Sequence, residues 1–326
     1  MRISYSRFSS YLRCPFAHYL GYYECLKLKK PIRPLHFGSD FHKLLELRKD
    51  PEELDKAKKA IGEAYYDLSP DDQSLLGDDY IVDLQCIFDD YMRVYKDAKM
   101  PTQTERPFEL VVGEYRGEKI VFNGVIDELY KFKRKGQKMC KLGEHKTFSQ
   151  KPDLSVLVLN TQKNLYAKAV ELMLGVMPES VIWDYICSKP ASQPIWLPKS
   201  HRFSSAKSNS ITPFSWERAC LERGIDDPEI LAQGNAYSNN ITNFFFRNEL
   251  PIVPKSVELV WDGFLYTSRD IIRQGHKNKT KNITRDCRFC SYYDYCMTEM
   301  TGGDLNYLVE ANYKVEPREE EEMSDV

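Results

Sequence analysis

"VFNGVIDELYKF", residues 121–132, and "KMCKLGEHKT", residues 138–147, decide the reading of this chain. Both are rich in β-branched and aromatic residues, and a short polar turn around Gly136 separates them, so they predict two antiparallel strands. Residues two apart on a strand share a face, so Glu144 and Lys146 point one way and His145 the other. Asp127 falls toward the end of the apolar part of the neighbouring strand. Two carboxylates beside a lysine suit metal-assisted hydrolysis of a phosphodiester. Asp127 and Glu144 offer hard oxygen ligands to Mg2+ or Mn2+, the backbone carbonyl of His145 offers one more, and Lys146 is placed to orient water and offset charge at phosphorus. Taken alone, Glu-x-Lys on a strand is more often an exposed ion pair, so the weight must come from the surrounding segments.

On the N-terminal side, "FELVVGEY" (108–115) and the turn at Gly117 extend the pair into an antiparallel meander. On the C-terminal side, residues 155–175 predict a helix ended by Gly175, and "VIWDYICSK" (181–189) predicts a buried strand. That order predicts a mixed α/β sheet with a crossover helix. Gln162 and Tyr166 lie four apart on this helix and present an amide and a phenol on one face. A helix over Gly38–Leu47 carries His42 and Glu46 four apart, suited to metal ligation by His42 with Glu46 in support. Another helix is expected over Asp79–Lys99. Tyr5, Phe8, Leu12 and Phe16 have helical spacing interrupted by Pro15, which leaves Cys14 at a helix end. From Lys189 to about Ile252 the pattern weakens into a long surface excursion, with helices from Phe214 and through "NAYSNNITNFFFRNEL" (235–250). "SVELVWD" (256–262) reads as a strand, and the tail "VEPREEEEMSDV" (315–326) as disordered.

The 326 residues are 42% hydrophobic, enough for a large core, and 46 Lys and Arg against 48 Asp and Glu leave a net charge of -2. Such a balance excludes coating nucleic acid by bulk electrostatics, so any nucleic-acid site must be a local patch. Neither an apolar leader nor a bilayer-length apolar run occurs, and a cytosolic protein is expected. Nine cysteines in a reducing compartment point to metal or free thiols. Cys287, Cys290 and Cys296 form C-x2-C-x5-C, three thiolates able to converge on zinc or an iron-sulfur cluster. A closed site wants a fourth ligand, and either His276 or the distant Cys14 can supply it. The basic run "HKNKTKNITR" (276–285) and Tyr292, Tyr293 and Tyr295 offer phosphate-tracking and base-stacking groups, with packing around the cluster as the commoner use of such tyrosines.

Together, "YLRCP", "G-x-x-FH", "G-V-I-D", "E-H-K-T" and "Q-K-N-L-Y", in this order and followed by C-x2-C-x5-C, resemble the RecB-like branch of the PD-(D/E)XK nucleases. The likeness is to its iron-sulfur subgroup, which includes AddB-type nuclease domains and CRISPR adaptation exonucleases, and it admits a virus-encoded chain. The resemblance implies a restriction-endonuclease-like α/β core whose terminal segments are joined by a [4Fe-4S] cluster on Cys14, Cys287, Cys290 and Cys296. It implies metal binding by His42, Asp127 and Glu144, catalysis with Lys146, and DNA positioning by Gln162 and Tyr166. The expected organisation is an N-terminal helical segment (1–100), a nuclease core (101–190), a region closing the cluster (191–300) and a C-terminal segment (301–326). The implied activity is a metal-dependent DNA exonuclease or end-processing nuclease favouring single strands or frayed ends. No phosphate loop of a helicase motor occurs, so unwinding would fall to a separate helicase or recombination partner. Two other readings stand beside it: a non-catalytic DNA-binding or assembly module that keeps the fold, and a zinc-stapled binding protein.

Overall fold

The computed structural model describes residues 1–316 except Ser205 and Lys207. At its centre is a mixed six-stranded sheet flanked by helices. Strands β1 (Arg2–Ser4), β3 (Gln103–Tyr115), β4 (Glu118–Arg134), β5 (Gln137–Phe148), β6 (Ser180–Cys187) and β9 (Phe245–Pro251) build it; β2 (Leu26–Leu28) and β10 (Tyr313–Val315) pair separately, as do β7 (Trp196–Leu197) and β8 (Arg202–Phe203). β3, β4 and β5 form the expected antiparallel meander, with β1 parallel to the first half of β4. β5 continues through α7 (Thr161–Leu174) into β6, which lies parallel to it, so α7 is the crossover helix. It ends at Gly175 in the left-handed conformation, as expected, but begins six residues later than expected, after a 3-10 turn over Leu154–Leu159.

The earlier helices are α1 (Tyr5–Arg13), α2 (Pro15–Tyr22), α3 (Arg33–Leu47), α4 (Pro51–Tyr66), α5 (Pro70–Leu76) and α6 (Tyr80–Val94). Ser4 caps α1, and Pro15 opens α2 where its missing N–H costs nothing, so Cys14 sits at the break. α3 buries Phe37, Phe41, Leu44 and Leu45 against α6 and the sheet, turning His42 toward β4 and β5.

The structure overturns two sequence expectations. "SVELVWD" belongs to α10 (Pro254–Gln274), not to a strand. Its short window alternates, but Val257, Trp261, Phe264, Ser268 and Ile271 recur at helical spacing and fill one face of the main core. Conversely, "FFFRNEL" is not helical: it leaves a 3-10 turn and becomes β9, antiparallel to β6, with Phe246 stacked on Tyr185 at 4.9 Å. Cross-strand aromatic pairing outweighs the helical pattern there.

The remaining helices are α8 (Pro213–Leu221), α9 (Pro228–Gln233), α11 (Tyr293–Thr301) and α12 (Leu305–Asn312). β7, β8, α8 and α9 enclose a small core of Phe203, Ile211, Trp216, Ala219 and Cys220, so part of the excursion after Lys189 is folded. Near the far end, β10 pairs with β2, while α2 contributes Phe16, Ala17 and Leu20 to a cluster with Tyr292 and Tyr313. The beginning and the last described residues of the chain therefore meet. Most of the expected disordered tail, residues 317–326, lies outside the described residues. No described helix is long and apolar enough to cross a membrane.

Candidate active site

Two close approaches place the carboxylates. A Cβ on Gly143 would stand 2.7 Å from Glu128 Oε2, and one on Gly124 would stand 3.1 Å from Tyr166 Oη. The glycines of "LGEHK" and "GVID" thus let side chains close in on the strand backbones. Between them, Asp127 on β4 accepts the His145 backbone N–H at 2.9 Å. Its carboxyl is pushed up to about 7, first by burial and then by the charge of Glu144, with His42 and His145 opposing.

On β5, Glu144 Oε1 accepts from Lys146 Nζ at 2.5 Å and from Gln162 Nε2 at 2.7 Å. Burial works against the Lys146 cation, but Glu144 more than offsets it and the amine's pKa is raised. Lys146 is therefore an ammonium at neutral pH. Tyr166 is buried with its ring edge-on to Phe108, and its hydroxyl is raised by burial and by Glu144 and Asp127. Of the two expected positioning residues, Gln162 holds the carboxylate directly and Tyr166 packs behind it.

His42 reaches the same place from α3. Its Nδ1 lies 3.4 Å from Glu105 Oε1 and 3.9 Å from Asp127 Oδ2. Burial opposes the imidazolium, yet the Glu105 hydrogen bond and the Asp127 charge hold its pKa above the ordinary value. The expected support from Glu46 does not occur; Glu46 pairs with Lys43 at 3.0 Å instead.

Glu105 was missed by the sequence analysis because the strand was expected to start at Phe108, whereas β3 begins at Gln103. The ladder pairs Thr104 with Glu128 and Arg106 with Ile126, leaving Glu105 opposite Asp127 without a bridge. Glu105 has φ +42°, a left-handed conformation that costs a non-glycine residue roughly 1–2 kcal/mol. Among the described residues, His42, Glu105 and Asp127 are the one group of three or more ligand-type side chains whose donor atoms all lie within 4.8 Å. One imidazole and two carboxylates form a donor set suited to Mg2+ or Mn2+.

The reverse face of β5 carries a buried charge network. The His145 ring places Nε2 3.0 Å from Glu128 Oε1 and Nδ1 3.3 Å from Asp184 Oδ2. Arg48 reaches Glu128; Tyr91 donates to Asp184 at 2.5 Å, and Arg247 does so at 2.9 Å. Burial alone would neutralise His145, but Glu128 and Asp184 raise its pKa to about 10, so it is a buried cation. Arg48, at the end of α3, thereby ties the helix bearing His42 to the strand bearing Asp127.

Away from this site, Cys14, Cys287, Cys290 and Cys296 line one cavity of about 160 Å³, together with apolar atoms of Ala17, Ile283 and Met297. His276 is not among the lining residues; its ring faces Tyr23 at 6.3 Å. Burial pushes the Cys296 thiol up to about 11 against the opposing charge of Lys281, so the sulfur is protonated at neutral pH. Tyr292 is buried and Tyr295 packs edge-on against Phe16 at 5.9 Å. In the basic run, Lys279 sits over Tyr19 at 4.0 Å, while Lys281 sits over Phe16 at 4.6 Å and pairs with Glu299. Much of the expected stacking and phosphate-tracking set is thus engaged in packing this lobe.

No curated protein matches the chain. Among solved structures it is similar to one described as "Crystal structure of SSO0001", at 13% identity and a TM-score of 0.29, covering 80% of this chain and 94% of that one. The description of the PD-(D/E)XK nuclease superfamily matches residues 2–297, a span that takes in β1, α3, the meander, α7 and the three C-terminal cysteines. The chain belongs to the PD-(D/E)XK nuclease superfamily.

Proposed function

We propose that the chain is a divalent-metal-dependent deoxyribonuclease of the RecB-like branch that degrades or trims single-stranded or frayed DNA ends in recombination, repair or DNA processing. The observation that carries this reading is the side-by-side placement of Asp127, Glu144 and Lys146, with Lys146 Nζ 2.5 Å from Glu144. Mg2+ or Mn2+, held by His42, Asp127 and Glu144 with the His145 carbonyl, would supply Lewis acidity toward a phosphate oxygen and acidify water. Lys146, an ammonium, donates to the attacking water or to a phosphate oxygen and offsets the charge that gathers at phosphorus. In the hydrolysis the water oxygen forms a bond to phosphorus and gives up a proton to solvent, while the bond from phosphorus to a deoxyribose oxygen breaks and that oxygen takes up a proton. Gln162 fixes the Glu144 carboxylate, and Tyr166 backs the wall along which DNA is positioned.

In the same reading, Cys14, Cys287, Cys290 and Cys296 hold a [4Fe-4S] cluster that ties the N-terminal helices to the C-terminal lobe. What supports this is that the four cysteines line one cavity, Cys14 from the N-terminal helices and the other three from the C-terminal lobe. In that reading residues 1–100 form an N-terminal segment, 101–190 the nuclease core and 191–300 the region closing the cluster, with β1 and β9 reaching from the flanking parts into the central sheet.

The test is cleavage of end-labelled single-stranded, frayed and blunt duplex DNA by anaerobically purified protein in Mg2+, Mn2+ or EDTA. Metal-dependent loss of the single-stranded or frayed label ahead of the blunt one supports the proposal. Equal cleavage of all three refutes the end preference, and cleavage unaffected by EDTA refutes the metal reading.

A further inference from the structure

We propose that Glu105 is a ligand of the divalent cation, joining His42 and Asp127 in a three-donor seat beside the Glu144–Lys146 pair. The inference rests on the metal-dependent reading above and adds a residue that lies in none of the sequence motifs.

His42 Nδ1 stands 3.4 Å from Glu105 Oε1 and 3.9 Å from Asp127 Oδ2, and all three donor atoms lie within 4.8 Å of one another. In an octahedral shell with bonds of about 2.1 Å, adjacent ligands are about 3 Å apart and opposite ones about 4 Å. The observed separations fit around one centre with small adjustments. They fit a self-sufficient ion pair less well, because 3.4 Å is at the outer edge of hydrogen-bond distance. Two carboxylates converging on one imidazole also call for a further cation.

The backbone supplies a separate argument. Thr104 and Arg106 both pair with β4, yet Glu105 between them has φ +42° and makes no bridge. No turn requires this conformation at that point. Its result is a carboxylate opposite Asp127 and within reach of His42. Unfavourable backbone conformations of this kind gather at ligand clamps, where the function of the side chain keeps them. Glu144, by contrast, already has its Oε1 taken by Lys146 and Gln162. Glu105 therefore adds a grip on the cation beside His42 and Asp127, while Glu144, which aims Lys146 through Oε1, meets the same cation only through Oε2.

The test is titration with Mn2+, reading the free ion by electron paramagnetic resonance, together with melting of the metal-free protein. The proteins compared are the wild type, Glu105→Gln and Glu105→Asn. Since altering a residue behind a ligand already costs about 10- to 100-fold in affinity, Glu105→Gln should weaken Mn2+ binding at least tenfold without lowering the metal-free melting temperature. Glu105→Asn should weaken binding likewise and raise that melting temperature by about 2 °C, because Asn tolerates the left-handed backbone. Binding within twofold of wild type in Glu105→Gln overturns the proposal, as does a wild type that binds no Mn2+. A lower metal-free melting temperature in Glu105→Gln with unchanged binding identifies a plain ion pair to His42. Wild-type DNA cleavage is measured beside these. Cleavage with unaffected Glu105→Gln binding sinks the seat and leaves the nuclease; Glu105-dependent binding without cleavage leaves the seat and sinks the nuclease.

Discussion

Replacing Asp127 by Asn should stabilise the metal-free protein at alkaline pH while abolishing its use of metal. The Asp127 carboxyl is raised from 3.8 to about 7, chiefly by burial and next by the neighbouring Glu144. A rise of about 3 units at about 1.36 kcal/mol each sets a ceiling of about 4 kcal/mol on the cost of ionising it in the folded state. Because the folded pKa is raised, Asp127 costs nothing below pH 3.8, and stability falls as pH climbs through about 7. The full penalty is in place by about pH 8. Asn carries no charge, and its side-chain oxygen can still accept the His145 N–H that Asp127 accepts at 2.9 Å. Allowing for relaxation around the variant, the gain at pH 8 should be about 1–4 kcal/mol, or roughly 1.5–6 °C in melting temperature for a chain of this size. Scanning calorimetry in EDTA at pH 5, 6.5 and 8 should show the increment growing with pH. In Mn2+ the order should reverse, because only the wild type gains from binding. A variant that melts below wild type at pH 8 in EDTA, or gains equally at pH 5 and pH 8, would refute the reasoning.

Removing Arg48 as Arg48→Gln leaves Glu128 short of a buried partner and should cost about 3 kcal/mol in chemical denaturation, whereas exposed Lys56→Gln should leave the denaturation midpoint unchanged. His145, raised to about 10, contributes stability that is full below its unfolded pKa of about 6.5 and is lost as pH rises through about 10. Melting temperature should therefore fall between pH 7 and 10 more steeply in wild type than in His145→Gln, and parallel slopes would contradict the buried cation. Gly143→Ala, whose new methyl would meet Glu128 Oε2 at 2.7 Å, should lose about 1–3 kcal/mol, measurable by urea unfolding. Cys14→Ser should lose the brown colour that the proposed [4Fe-4S] cluster would give anaerobically purified protein and expose the segment after Cys296 to protease, while Cys86→Ser should do neither.

The sequence carried the meander and its crossover because their signals are local: alternating strands, a glycine stop at Gly175 and a proline break at Pro15. It also pointed to Cys14 as a candidate partner of the distant cysteines, and the four line one cavity. Where local pattern and tertiary context disagree, it failed. The alternation in "SVELVWD" is an accident of a short window, and the 21-residue α10 becomes recognisable only when the apolar positions are followed to Ile271. "FFFRNEL" becomes a strand because β6 offers it a partner. Glu105 was hidden for a related reason, since its importance comes from standing across from Asp127, a relation between strands that no spacing within one segment reveals. The alternation rule put the side chain of His145 on the face opposite Lys146, but the Glu128, Asp184 and Arg48 around it come from three different elements.

The central claim is that Lys146, held by Glu144, serves metal-dependent cleavage of DNA. Its most direct test is the rate at which end-labelled single-stranded DNA is degraded in Mn2+ by wild type and by Lys146→Ala, both confirmed to be folded and brown. The account predicts degradation by the wild type and a loss of at least about 100-fold in the variant. A variant that cleaves as fast as wild type, or a folded wild type that leaves the DNA intact, would contradict it.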